Sequence, residues 1–355
     1  MLEDIVAPLL AWYQENKRTL PWREDKSPYH IWLSEIMLQQ TRVEAVRGYY
    51  ERFLERLPEI RDLAAVPEDE LMKLWQGLGY YNRARNLKRA AVTIMDEHEG
   101  VFPEEYEEIL RLPGIGAYTA GAVASIAFGK AVPAVDGNVY RIYTRLMRET
   151  ADITRGKNQR MIREEMKKIM PQSSPGEFNQ ALMDLGATVC IPVGNPLCDR
   201  CPLAQWCLAR EAGDALSYPC KPEKRPRKME DKTVLVLEYQ GRYLLQKRPG
   251  RGLLAGLWEF PVREGHIPPD SVIDLLDEWG MKGEDVELLG AGKHIFTHIE
   301  WHMLGYLVHL TCVPEGVEND FKLATAEQIE SEYSIPSAYS MYTRQLVGRD
   351  YKSSS

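Results

Sequence analysis

The sequence contains no apolar run long enough to cross a bilayer. Its longest nearly apolar stretch, Ala117–Phe128, is interrupted by Tyr118, Thr119, Gly121 and Ser125, and a span needs roughly 20 apolar residues. A secretory signal is missing as well: MLEDIVAPLL starts acidic and has neither a basic segment nor a cleavage site. There are no internal repeats, and low complexity is confined to the tail Ser353–Ser355. A disordered chain would hold fewer apolar residues and less balanced charge than the 44% hydrophobic and 27% charged found here. These absences lead us to expect a folded, intracellular, cytoplasmic protein with no membrane partner.

The 355 residues, at roughly 150 per domain, favour two domains. Residues 1–216 read as almost wholly helical. Apolar side chains recur at threes and fours in Ile5, Leu9, Trp12 and Tyr13, and again in Trp32, Ile36, Val43, Val46 and Tyr50. Breaks fall at Leu57-Pro58, Val66-Pro67, Phe102-Pro103 and Leu112-Pro113-Gly114, which predicts helices of about 10–15 residues. Residues 217–231 include the Pro-punctuated basic stretch Lys221–Lys228, read as a semi-rigid linker. In residues 232–350 the texture changes. Thr233–Tyr239 and Arg242–Lys247 are β-forming runs joined by Gln240-Gly241, a hairpin signal; Ser271–Trp279 reads as helix and Ile299–Thr311 as strand. The expected architecture is multidomain: an all-α domain followed by an α+β domain.

The net charge is −8, and residues 231–355 carry −7 of it through 19 acidic and 12 basic side chains. The helical part is close to neutral, with basic stretches at 82–90 and 141–148 set against the acidic run Glu104–Glu108. Phosphate binding depends on a local basic face rather than on the sum. Net charge therefore leaves both a nucleic-acid face and ordinary solvated helix faces open.

Four of the six cysteines crowd into 18 residues, Cys190, Cys198, Cys201 and Cys207, with spacing C-x7-C-x2-C-x5-C. In an intracellular protein such density means metal rather than disulfides. Four thiolates can hold a tetrahedral zinc ion or a [4Fe–4S] cluster. Zinc ribbons tend to pair two CxxC motifs and this loop has one, which favours the cluster. Cys220 and Cys312 read as inert thiols.

Leu112-Pro113-Gly114-Ile115-Gly116 is a tight turn ahead of a small-residue helix. Its glycines can take left-handed angles and leave N–H groups uncovered at a helix N-terminus, which suits a phosphate oxygen. With helices on both sides, from about residue 108 to 125, it carries the helix-hairpin-helix signature of DNA-backbone binding. Two acids stand out. Asp136, in VDGN, precedes a helix expected over Val139–Met147, where its ordinary role is an N-cap. Glu35, at 100° per residue, shares a face with Ile31, Leu38 and Gln39. Such neighbours desolvate a carboxyl, raise its pKa and suit it to donate a proton; the plainer alternative is a partner for Arg42.

Together, LPGIGAYTA, VDGN and the four-cysteine loop resemble the helix-hairpin-helix DNA glycosylase superfamily. Within it, SEIMLQQTRV, WQGLGYYNRARNL and FNQALMDLGATVC closely resemble adenine DNA glycosylases of the MutY type. The resemblance implies an enzyme that flips a mispaired adenine, opposite 8-oxoguanine or G, out of double-stranded DNA and hydrolyses its N-glycosidic bond, since the reacting atoms are out of reach inside the stack. It implies that Glu35 protonates adenine N7 and then helps to activate water, that Asp136 stabilises the oxocarbenium-like sugar, and that Asn138 orients Asp136. Arg23, Leu38 and Tyr118 would belong to the base pocket. Gln40 and Tyr80 would wedge into the stack, with Gln39 and Thr41 beside them as DNA contacts and Gly114 and Gly116 on the phosphates. The similar endonuclease III enzymes carry a lysine where this chain has Tyr118. Lysine attacks the sugar and forms a Schiff base; tyrosine cannot, which implies a monofunctional enzyme. The four cysteines would ligate a [4Fe–4S] cluster, with one departure: seven residues, Ile191–Leu197, separate the first pair where the family has six. Arg200 would touch phosphate. A monomer is expected, acting at the nucleoid if the source is bacterial.

The C-terminal segments LLQKRP and GLLAGLWEFP resemble a Nudix-type fold. Ile273–Gly280 has no Arg-Glu pair, and too few of the metal-binding carboxylates of a Nudix hydrolase stand in register there, so a binding module is expected. In the MutY type this domain reads 8-oxoguanine with a Phe-Ser-His loop, matched here by Phe296, Thr297 and His298; threonine keeps the hydroxyl and adds a methyl. Three rivals remain. A bifunctional glycosylase/lyase is opposed by Tyr118, and a nucleotide pyrophosphohydrolase by the incomplete Nudix helix. A non-catalytic redox sensor is opposed by Glu35 and Asp136 together.

Overall fold

The computed structural model describes residues 2–222 and 226–353, with side chains as far as residue 346. The chain divides into two compact units, Met1–Val66 with Arg85–Glu223, and Pro67–Ala84 with Lys224–Ser355.

The first half of the chain is helical: α1 (Val6–Asn16), α2 (Pro28–Leu38), α3 (Val43–Arg56), α4 (Ile60–Ala65), α5 (Glu68–Leu74), α6 (Asn82–Glu97), α7 (Tyr106–Arg111), α8 (Ala117–Phe128), α9 (Gly137–Met147), α10 (Gly156–Lys168), α11 (Pro175–Thr188) and α12 (Leu208–Glu211). The breaks fall at the Pro and Gly positions expected, but α4, α5 and α7 are short helices of only six or seven residues. Val66-Pro67 and Leu112-Pro113 close α4 and α7, because proline cannot donate to the preceding turn, and α5 ends ahead of Gly77 and Gly79, both at positive φ. Helices α1, α9, α10 and α11 share a core built on Leu9, Val139, Ile142, Ile162, Phe178 and Leu182. Ser27 caps α2 with Pro28 at its first position.

The turn between α7 and α8 corrects one expectation. Gly114 sits at φ +74°, and a Cβ there would lie 2.4 Å from Asn86. Gly116 instead has φ −97° and caps α8 with open space around it. Only Gly114 uses the left-handed region.

The second unit is a mixed sheet of β1 (Lys228–Tyr239), β2 (Arg242–Lys247), β3 (Trp258–Glu259), β4 (Val262–Glu264), β5 (Lys282–Ile295), β6 (Ile299–Cys312) and β7 (Lys322–Ala324), with helices α13 (Pro269–Glu278), α14 (Ala326–Ser331) and α15 (Ser340–Ser353). The main order is β3-β2-β1-β6-β5, and β1 and β6 run parallel. Alternate residues of β1 feed two cores: Val234 and Val236 pack on one face with Trp301 and Tyr342, Leu235 and Leu237 on the other with Val272 and Leu276. Strand β1 begins at Lys228, inside the stretch read as linker. Its charged start is strand because β6 supplies a ladder from Lys228↔Ile299 onward. The linker's centre, 223–225, lies outside the described residues. The long strand β5 has no counterpart in the sequence reading. Segment Pro67–Ala84 groups with this unit: Gln76 Nε2 donates to Ile335 O at 2.7 Å, and Lys247 pairs with Asp69 at 2.7 Å.

Among the described residues no helix is long and apolar enough to cross a membrane.

Candidate active site

Helices α2, α8, α9 and α11 surround a cleft of about 710 Å³. It brings together nine of the residues singled out from sequence: Arg23, Glu35, Leu38, Gln39, Gln40, Thr41, Tyr118, Asp136 and Asn138. Gly114 and Gly116 do not line it, and Tyr80 and the loop Phe296–His298 belong to the other unit.

Glu35 lies in the last turns of α2, with a relative exposure of 6%. The Tyr118 hydroxyl donates to its Oε2 at 2.5 Å. Burial pushes the Glu35 carboxyl up to about 7; nearby Asp136 pushes the same way, while the Tyr118 hydrogen bond and Arg23 pull it down. Tyr118 is itself raised well above the usual phenol range by burial and by the two acids, so it stays a neutral donor. The arrangement therefore leaves one Glu35 oxygen occupied and the other available to the cleft. Arg42 takes no part in it; Ile31, Leu38 and Gln39 share the cleft wall as their helical spacing predicts.

Asp136 is both an N-cap and a cleft residue. Its Oδ1 accepts from the backbone N–H groups of Asn138 and Val139, each at 2.9 Å, and its Oδ2 from Asn138 Nδ2 at 2.7 Å. Burial raises its pKa, against the pull of those three donors and of Arg141. Asn138 is held in turn by Arg141, whose Nη2 donates to Asn138 Oδ1 at 2.8 Å and to Gly186 O at 2.7 Å, and whose Nε donates to Cys190 O at 2.7 Å. Gly186 allows the approach: a Cβ on it would lie 2.5 Å from Asn138 Cβ.

Several cleft residues were missed in the sequence. Gln180, Met183 and Ala187 line it from α11 at helical spacing, and Trp22 and Arg18 from the chain before α2. The signal was present in FNQALMDLGA, whose residues 180, 183 and 187 fall on one face. Gln180 accepts a hydrogen bond from Tyr13 at 2.5 Å.

The cysteines gather beyond the end of α11. Among the described residues no group of three or more His, Cys, Asp or Glu side chains is arranged to hold a metal ion. All four thiols nevertheless line one small cavity with Arg145, Val189 and Pro196. Arg145 Nη1 donates to Cys190 Sγ at 3.2 Å, and backbone N–H groups of Leu203, Ala209 and Arg210 face the sulfurs of Cys201 and Cys207. Within the loop Ile191–Leu197, Leu197 N bonds back to Val189 O at 2.9 Å and Val193 is exposed. An all-thiol donor set with N–H groups aimed at sulfur fits an iron–sulfur cluster.

In the second unit Phe296, Thr297 and His298 form the tip of the β5–β6 hairpin. Phe296 stacks edge-on against His294 and Trp301, with centroids 4.6 and 4.9 Å apart, while Thr297 and His298 are exposed. The Thr297 and Tyr80 hydroxyls lie 2.7 Å apart.

Residues 33–172 match the family described as HhH-GPD superfamily base excision DNA repair protein, and residues 233–345 match the NUDIX domain. Among solved structures the chain is similar to a thermostable thymine-DNA glycosylase, with a TM-score of 0.55 and 30% identity over 59% of this chain and 97% of that one. The fold and cleft thus define a base-excision DNA glycosylase with an appended Nudix-like domain. Among curated proteins it is similar to the adenine DNA glycosylase of Homo sapiens, 35% identical over 87% of this chain and 68% of that one. It is also similar to that of Buchnera aphidicola subsp. Baizongia pistaciae, 35% identical over 82% of each. The chain belongs to the adenine DNA glycosylase family.

Proposed function

We propose that this chain excises adenine mispaired with 8-oxoguanine, and with G, in double-stranded DNA, as a monofunctional glycosylase. The observation that carries the reading is Glu35: a buried carboxyl held by the Tyr118 hydroxyl, raised to about 7, and facing Asp136 across one cleft. Extruded adenine enters the cleft, and Glu35 delivers its proton to N7, so the base departs neutral and the glycosidic electron pair goes with it. The sugar is left cationic. Asp136, held by Asn138, stabilises that charge from its fixed position, and the Glu35 carboxylate then takes a proton from the incoming water. Tyr118 stands where a lyase needs an amine nucleophile, and a phenol forms no Schiff base.

Recognition of the opposite base is assigned to Phe296, Thr297 and His298, with Gln40 and Tyr80 as wedges, Gln39 and Thr41 as further DNA contacts, and Gly114 and Gly116 on the backbone. Cys190, Cys198, Cys201 and Cys207 would hold the [4Fe–4S] cluster. The cluster would supply a covalent tie across the loop 190–207, and the acid–base steps belong to protein side chains. In domain terms, residues 1–216 carry the chemistry and 232–350 the lesion reading.

The test is a single-turnover assay on duplexes with one A:8-oxoguanine or A:G pair, quenched with and without alkali. Strand breaks only after alkali are expected on both, as free adenine appears. Breaks without alkali would favour a lyase, and no released adenine would refute the substrate.

A further inference from the structure

Asp184, on α11, has a fully buried side chain yet meets two arginines from the segment before α2. Arg23 forms a two-pronged pair with it, Nη1 to Oδ2 at 2.8 Å and Nη2 to Oδ1 at 2.9 Å. Arg18 contributes Nε at 2.8 Å, Nη2 at 2.7 Å and its backbone N–H at 3.1 Å. Burial alone would raise the Asp184 carboxyl, but the guanidiniums hold it below the usual aspartate value. It is therefore a fixed negative charge directly behind the cleft wall.

Both arginines line the same cleft as Glu35. The groups that act on Glu35 are Tyr118 from α8, Asp136 from the cap of α9 and Arg23 from the turn before α2; Asp184 stands behind Arg23. On α2 itself the other titratable groups are Tyr29, hydrogen-bonded to Leu57 O, and His30, engaged with Asp25 at 2.8 Å. Arg18 and Arg23 supply two positive charges, Asp136 and Asp184 two negative ones. Asp136 is answered by its own cap donors and by Arg141, so Asp184 is the acid that offsets the Arg18–Arg23 pair. Without Asp184 the balance would instead favour an ionised Glu35, since an uncompensated neighbouring cation stabilises carboxylate.

We propose that Asp184 is a positioning residue that fixes the Arg23 guanidinium in the cleft wall and offsets the Arg18–Arg23 charge, so that Glu35 keeps its proton. The functional consequence rests on Glu35 being the proton donor, and the test separates the two ideas. The intact chain, labelled with carboxyl-13C glutamate, is titrated by NMR without DNA, and the Glu35 signal is identified by its loss in Glu35→Gln. Asp184→Asn is expected to lower the Glu35 midpoint by about one pH unit, the order of effect a nearby unit charge exerts. Arg18→Gln, at a partly exposed side chain, is expected to raise it. Midpoints that fail to move in these opposite directions overturn the proposal. Should Asp184→Asn not fold, Arg18→Gln alone decides: a rise supports the proposal and no rise overturns it. Excision rates measured on the same proteins read the other idea. Glu35 midpoints that move while the pH dependence of excision does not follow would leave the positioning role standing and remove Glu35 as the acid.

Discussion

At the scale of single residues, the buried carboxyl of Glu35 costs the fold stability wherever it ionises. Its carboxyl titrates at 4.5 in an exposed setting and near 7 in the fold. A raised carboxyl favours folding fully below 4.5, loses that contribution as pH rises from 4.5 to 7, and above 7 leaves a constant cost on the order of 3 kcal/mol. Glu35→Gln keeps an acceptor for Tyr118 and cannot ionise. It is expected to be more stable than the parent at pH 8 and no more stable at pH 4, as denaturant midpoints would show; equal midpoints at pH 8 would mean that Glu35 is not desolvated. A second residue-scale feature is backbone strain. Gln40 and Tyr80, both assigned as wedges, hold φ of +57° and +48°, angles that side chains other than glycine's tolerate poorly. Fold stability alone would favour glycine at both places.

At the scale of elements, α9 ties the site together. Its cap is Asp136, its first turn carries Asn138, and Arg141 one turn on reaches both Gly186 O on α11 and Cys190 O. Gly186→Ala would force Asn138 away from its contact. We expect a loss of about 1–3 kcal/mol from overpacking and at least a tenfold drop in excision from displaced geometry, read by thermal melts and single-turnover rates. An unchanged rate would detach Asn138 from the mechanism. Much of this scale was legible in the sequence. LPGIG, VDGN and SEIMLQQT carry local signals of turn, cap and face, and the structure puts those residues around one cleft. Gln180 and the Arg18–Asp184 pair were not legible as site residues. They meet across 166 or more positions in the chain, and no local spacing encodes such a pairing. Strand β5 escaped for a different reason. Its first half is bulged near Asp285 and Leu289; burial alternates from Gly290 to Ile295, but the inner positions are Gly290, Gly292 and His294 and the outer ones include Ala291 and Ile295, so no apolar period of two shows in the sequence. The start of β1 was hidden because charged residues become strand there only through the partner β6.

At the scale of the whole molecule, acidity sits largely in residues 231–355, while the cleft and its basic helices belong to the near-neutral first part. In the proposed function one protonated carboxyl, Glu35, drives adenine release. The most direct measurement is the single-turnover rate of adenine excision from an A:8-oxoguanine duplex between pH 5 and 9, for the parent chain and Glu35→Gln. The parental rate is expected to fall tenfold per pH unit above about 7, and the Glu35→Gln rate to be at least a hundredfold lower at pH 6, with no such alkaline fall. A flat parental profile, or full activity in Glu35→Gln, would contradict it.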